Sequence, residues 1–164
     1  MKKGGQVQIS FGMIFSIIII IATLATAFYA IRFFLGIQNC AQAGSFVESL
    51  KNRVDLAWKS EISQDVYTLK PSKGIEEVCF GNLTQSDSVR YPEEYKQLRF
   101  YSKNGENVFL YPPRNSCGTS LSAFNMKHFR VDNFFCVKIK QGTATIKLSK
   151  GSFDSLVTIT NATK

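Results

Sequence analysis

The chain is poor in the residues that most enzyme chemistry requires. Among its 164 residues there is one histidine, His128, so a Ser/His/Asp set or a multi-histidine metal site would have to be built around a single imidazole. Four cysteines, Cys40, Cys79, Cys117 and Cys136, stand 39, 38 and 19 residues apart, which excludes the close CxxC spacing of zinc and dithiol motifs. No G-x-S-x-G elbow, G-x-x-x-x-G-K-[ST] phosphate loop or G-x-G-x-x-G turn occurs. Glu76-Glu77 and Glu93-Glu94 are adjacent carboxylates, and neighbours on a strand point to opposite faces, so neither doublet is an acid/base pair by itself. His128 reads as a solvated side chain, and the expectation is a protein with no catalytic residues, no metal and no cofactor. Only four prolines interrupt the chain, and no acidic residue precedes Glu48.

What is present begins with hydrophobicity. Residues 11–30 carry no charge, include five consecutive isoleucines at 17–21, and continue past Arg32 to Ile37. About 20 apolar residues suffice to span a bilayer as a helix, and in lipid only a helix satisfies its own backbone. Arg32 can snorkel from the end of such a span, with Phe28, Tyr29, Phe33 and Phe34 in the interfacial zone. Lys2 and Lys3 before the span favour a cytoplasmic N-terminus. The even number of cysteines and two sequons, at Asn82 and Asn161, suit an extracytoplasmic C-terminal part. A cleaved secretory signal is the rival, since Ala25-Thr26-Ala27 has a small-x-small pattern. Cutting there would leave an apolar mature end running from Phe28 to Leu35.

Beyond the span the pattern becomes one-sided. Phe46, Leu50, Val54, Trp58 and Ile62 recur every four residues, while Glu48, Lys51, Asn52, Asp55 and Lys59 line the other face, where Asp55 is placed to pair with Lys51 and Lys59. The spacing predicts one helix from about residue 9 to about residue 64. Its stripe of Phe46, Leu50, Val54 and Trp58 is either a coiled-coil seam or, the favoured reading, the surface on which its own sheet docks. From residue 70 on, short alternating runs predict antiparallel strands at 75–80, 98–102, 107–111, 134–140, 143–148 and 155–160. Hairpins are expected at Gln141-Gly142 and at Lys103-Asn104-Gly105-Glu106, and residues 84–94 read as a loop or short helix. The fold class is α+β, organised as a leader at 1–10, a transmembrane helix at 11–37, an amphipathic helix at 38–64 and a small β-rich head at 70–164.

The net charge is +8. Lys138, Lys140 and Lys147 share one face of the expected hairpin, where they form either a ligand surface for acidic groups or simply the solvated side of the sheet. Nucleic acid is not expected as a partner, because no basic-aromatic module of that kind appears. All four cysteines are disulfide candidates. Three pairings are open, and loop-closure entropy favours Cys117 with Cys136, leaving Cys40 with Cys79; Cys40 could also stay free or pair between chains.

The order of features, namely Lys2-Lys3-Gly4-Gly5, the polar start Gln6-Val7-Gln8, a hydrophobic helix with an amphipathic continuation and a β-rich head, resembles archaeal type IV pilin-like proteins with a class III signal peptide. The resemblance covers about the first 60 residues. It implies processing at Gly4, Gly5 and Gln6, with the cut after Gly5 or after Gly4, and a hydrophobic helix that anchors the protein and can pack in a filament. Many pilins carry a glutamate at the fifth mature position, where this chain has Ser10. The expected role is therefore a membrane-anchored, extracytoplasmic structural subunit with the lipid bilayer, other copies or other membrane proteins as partners; the alternative is a monomeric bitopic module that binds an envelope ligand.

Overall fold

A computed structural model describes residues 11–84, 86–102 and 104–162. The leader residues Gly4, Gly5 and Gln6 lie outside them. The chain divides into two compact units, Met1–Gln38 and Asn39–Lys164.

Helix α1 covers Phe11–Lys59. Through residue 38 it is exposed at every position, and it is long and apolar enough to cross a membrane. Its few polar side chains turn inward on the helix backbone: the Ser16 hydroxyl donates to Gly12 O, and the Thr26 hydroxyl to Ala22 O and Thr23 O. Such bonds remove the need for water at those positions. The Arg32 guanidinium lies 5.0 Å from the centre of the Phe28 ring, and Tyr29 stacks on Phe33.

In the second unit, the part of α1 from residue 39 on buries Ala43, Phe46, Val47, Leu50, Val54 and Ala57. All of these but Ala43 join one core with Leu69, Val78, Phe80, Leu110, Ile146, Leu148 and Ile159. The four-residue stripe is thus the seat for the protein's own sheets, as its drift around the helix implies. The helix stops at Lys59 rather than near 64, and Ile62 is exposed instead of extending the stripe. The stop has a physical cause: Lys150 Nζ donates to the carbonyls of Trp58 and Ser60 at 2.6 and 2.7 Å, satisfying acceptors that another turn would have used.

Among the described residues eight strands follow: β1 Ser63–Leu69, β2 Glu77–Phe80, β3 Val108–Tyr111, β4 Ala123–Phe124, β5 Phe129–Arg130, β6 Phe135–Lys138, β7 Ala144–Lys150 and β8 Val157–Asn161. Short helices α2 Asp87–Arg90, α3 Pro92–Leu98 and α4 Thr119–Ser122 lie between them. The expected single antiparallel sheet is instead two four-stranded sheets, ordered β1-β7-β8-β5 and β4-β3-β2-β6, with β5 parallel to β8. The turn at Gln141-Gly142 forms as the sequence predicts. Both residues have positive φ, and Lys140 and Thr143 exchange backbone bonds across it. Its arms then part, because β6 pairs with β2 in one sheet and β7 with β1 and β8 in the other. Gly81, at φ 110°, ends β2 where a Cβ would meet Val131 Cγ2 at 2.7 Å.

The short elements α4, β4 and β5 have no counterpart in the sequence reading, and two further differences have a clear physical cause. Residues 98–102 are not a strand and the 98–111 hairpin is absent: Pro92 with Glu93 and Glu94 starts α3, a favourable helix N-terminus, and α3 ends at Leu98. Strand alternation would put Leu98 and Phe100 on one face, yet Leu98 is fully buried and Phe100 exposed. Strand β1 is the second difference. Its inward positions open with Ser63 and Asp65, the latter's carboxylate held by Arg53 of α1 at 2.7 Å, so polarity masks the inward face.

The cysteines pair as Cys40–Cys117 and Cys79–Cys136, which corrects both expected pairings. Loop entropy ranks pairings in an unfolded chain, whereas here the register of β2 and β6 sets Cys79 directly opposite Cys136. Replacing Cys117 with Ser is therefore expected to release a thiol that maps by alkylation and peptide mass to Cys40; a free Cys136 would contradict this pairing. In urea unfolding of the full chain in detergent, followed by the fluorescence of Trp58, Leu50→Ala is expected to cost about 2–5 kcal/mol. The exposed Leu56→Ala on the same helix should stay within about 0.5 kcal/mol of wild type.

Candidate functional site

The second unit carries three polar groupings, the first of them built on the lysines singled out by sequence. Lys138, Lys140 and Lys147 are all exposed but do not form one row. Lys138 and Lys140 line a cavity of about 500 Å³ with Thr143 and Thr145. Lys147 stands on β7 opposite exposed Val66, on the outer side of the first sheet. Divergence of β6 from β7 is what separates them. Lys138 also lies 3.7 Å from the Glu77 carboxylate. Asn82 is exposed at the mouth of a polar cleft of about 440 Å³. The cleft is largely self-satisfied: Thr84 donates through its amide and hydroxyl to Asp87, Asn107 exchanges two bonds with the Met126 backbone, and Arg130 pairs with Asp154. Asn161 is half-buried on β8 opposite Ile146, and its sequon threonine, Thr163, lies outside the described residues.

His128 is half-buried and partnered rather than simply solvated. Its ring stacks on Trp58 with centroids 3.8 Å apart and planes 7° from parallel, and its Nδ1 is 2.8 Å from Asp55 Oδ1. The residue adopts a left-handed backbone, φ 66°, and its carbonyl accepts the Val157 amide. Asp55 thus serves His128 rather than the i,i+4 lysines, and Lys51 sits over the Phe124 ring instead. Trp58 completes the arrangement by donating its indole N–H to Ser155 O. Among the described residues no serine or cysteine joins this pair by a hydrogen bond. The cluster fastens α1 to the turn before β8 and to β5.

The third grouping draws one member from each glutamate doublet. Glu77 on β2 is 7% exposed, a carboxyl in the interior. Burial pushes its pKa above the ordinary 4.5, Glu94 from α3 adds like-charge repulsion in the same direction, and Lys138 pulls back against them. The phenol of Tyr111, opposite Glu77 on β3, is likewise raised, first by burial and then by Glu94. Gln97 donates to that phenol at 3.1 Å. Glu77 and the sulfurs of Cys79 and Cys136 lie within 4.8 Å of one another. Both sulfurs are spent on their disulfide, so neither offers a thiolate to a metal ion. Sequence reasoning missed this grouping because its members come from β2, α3 and β6, and only the burial of one glutamate distinguishes it.

A carboxyl whose folded-state pKa lies above its unfolded value binds more protons when folded, so its stabilising contribution is complete below the unfolded pKa and lost as pH rises through the folded one. The head should accordingly lose stability as pH rises from about 4.5 through the elevated titration of Glu77. Glu77→Gln should flatten that slope and be at least as stable as wild type at pH 7. Parallel pH profiles for the two proteins would refute the assignment.

No family model, curated protein or solved structure matches the chain.

Proposed function

We propose that the protein is a membrane-anchored extracytoplasmic structural subunit, type IV pilin-like in organisation and without enzymatic activity. The observation that carries the proposal is the first part of α1: residues 11–38 form a helix with Arg32 as its one charge and with every residue exposed. An apolar surface of that length is stable in a bilayer or against other such helices, and not in water. Membrane proteins bring helices together by packing rather than by the hydrophobic effect, so the same surface serves anchoring and assembly. The second unit closes its own core and two disulfides. Disulfides persist in oxidising compartments, which supports a head outside the cytoplasm with the Lys2-Lys3 end inside.

A second reading, a monomeric bitopic module that binds an envelope ligand, draws on the cavity lined by Lys138 and Lys140. Processing separates the two. Intact mass and N-terminal sequence of protein recovered from membranes should show a start at Gln6 or Gly5 for the subunit, whereas retention of Met1 favours the binding module. Placing aspartate at both Ile17 and Ile20 adds about 3 kcal/mol per residue to insertion and should remove the protein from the membrane fraction. Recovery there at wild-type yield would overturn the anchoring role.

A further inference from the structure

The two disulfides sit in different mechanical situations. Cys40–Cys117 joins α1 to the segment after the 3-10 turn Pro113–Asn115, where no strand pairing links the two. Cys79–Cys136 links strands that are already neighbours, with Glu77, Val78, Cys79 and Phe80 in register with Lys138, Val137, Cys136 and Phe135. Opening it leaves that ladder in place. The Ile139 amide donates to Glu76 O at 2.7 Å, which fixes the alternation and makes Cys79–Cys136 a pair without mutual backbone bonds, its side chains on one face with those of Glu77 and Lys138.

That face is asymmetric. Cys79 lies on an interior strand of its sheet and is fully buried beside Leu98, Phe109 and Phe134. Cys136 lies on the edge strand β6, is half-buried, and lines two cavities, of about 410 and 500 Å³. A thiolate arriving from solvent therefore meets Cys136 first, and the sulfur that must leave is Cys79. A thiolate buried among apolar groups is costly. One proton source is built in, because the Glu77 carboxyl is within 4.8 Å of both sulfurs. The groups facing Glu77 are Glu94 from α3, Tyr111 from β3 and Lys138 from β6. Burial and Glu94 favour its protonated form, while Lys138, 3.7 Å away, stands ready for the carboxylate left once the proton has gone.

We propose that Cys79–Cys136 is a reversible thiol–disulfide exchange site for dithiol reductants, with Cys136 the attacked sulfur and Glu77 the acid that protonates Cys79. In the first step a thiolate of the dithiol attacks Cys136 Sγ. The Cys136–Cys79 bond breaks, a mixed disulfide forms, and the departing electron pair on Cys79 Sγ takes the Glu77 proton. In the second step the dithiol's other sulfur, deprotonated, attacks its own sulfur in the mixed disulfide. The dithiol leaves as a cyclic disulfide, and Cys136 departs as a thiolate that is protonated from water. Glu77 is reprotonated by the proton that the dithiol released. Two electrons and two protons pass from the dithiol to the two cysteines, and an oxidised disulfide reverses the sequence.

The test uses the full chain in detergent with dithiothreitol as the probe, quenched by alkylation and read by peptide mass at each cysteine. Cys40–Cys117 is the internal control, since both disulfides meet the same reductant at the same thiolate fraction. Glu77→Gln is expected to slow opening of Cys79–Cys136 about a hundredfold, the lower end of what a positioned acid contributes, and to leave Cys40–Cys117 unchanged. In wild type the ratio of the two opening rates should fall as pH rises through the titration of Glu77, a measurement that needs no variant and survives if Glu77→Gln does not fold. Trp58 fluorescence should stay native while Cys79–Cys136 opens, and oxidised dithiothreitol should restore the same pairing. Equal rates for the variant and wild type, a pH-independent ratio, or opening only together with loss of the native Trp58 signal would each overturn the proposal.

Discussion

Burial of a single helical stripe is the constraint on which the head depends. Phe46, Leu50 and Val54 each come from successive turns of α1 and contribute to a core that draws on the inner faces of both sheets. The first sheet supplies Leu69, Ile146, Leu148 and Ile159, and the second supplies Val78, Phe80 and Leu110. Remove the stripe and both sheets lose a common floor, since strands of two to seven residues cannot stand alone in water. The polar contacts of α1 follow from that seating. Arg53 reaches Asp65 on β1, Asp55 reaches His128, and Lys150 closes the last carbonyls of the helix. Each is made across an interface that hydrophobic burial has already brought together. Because these groups are partly exposed, they contribute direction more than energy.

What was legible in the sequence had a period or a run behind it. The apolar stretch 11–37 and the four-residue stripe are visible because a helix places i and i+4 on one side, whatever the rest of the chain does. The Gln141-Gly142 turn was legible because two consecutive positive φ values demand such residues. What failed was non-local. Alternation in residues 134–148 reports two strands and a turn, but it carries no information on whether the arms stay paired, and β6 and β7 instead complete different sheets. The aromatic content of residues 98–102 imitates a strand, while the helix signal lay upstream at Pro92-Glu93-Glu94. Disulfide pairing followed strand register rather than loop length. Of the candidate site residues, the lysines lie at the surface, yet their separation onto two sheets depended on the same divergence of β6 from β7.

The histidine and glutamate cases show why a residue's sequence neighbours are a poor guide to its role. His128 stands in a polar stretch and reads as solvated, but Trp58 and Asp55, from a helix some 70 positions earlier, form its surroundings. Glu77 stands beside Glu76, which suggests a doublet on opposite faces, and that inference about the doublet is sound. Its consequence is that Glu77 turns inward while Glu76 does not, and the inward partner is then Glu94 of the second doublet.

The position of that buried carboxyl is hard to explain as a contribution to stability. A glutamate in an interior site disfavours its own ionised form, and one lysine at 3.7 Å on a mostly exposed side chain returns little of the lost hydration. An apolar residue at 77 would extend the cluster of Cys79, Leu98, Phe109 and Phe134 without that cost. The polar cleft around Asn82 and Asp87 offers the contrast: there the side chains satisfy one another through hydrogen bonds, and a fold can hold them at no penalty. Glu77 is met instead by the Glu94 carboxyl, whose charge opposes its ionisation, and by Lys138, and it lies close to two sulfurs. A titratable group kept where it destabilises the fold, and adjacent to a bond whose cleavage requires a proton, is better accounted for by chemistry at that bond than by packing.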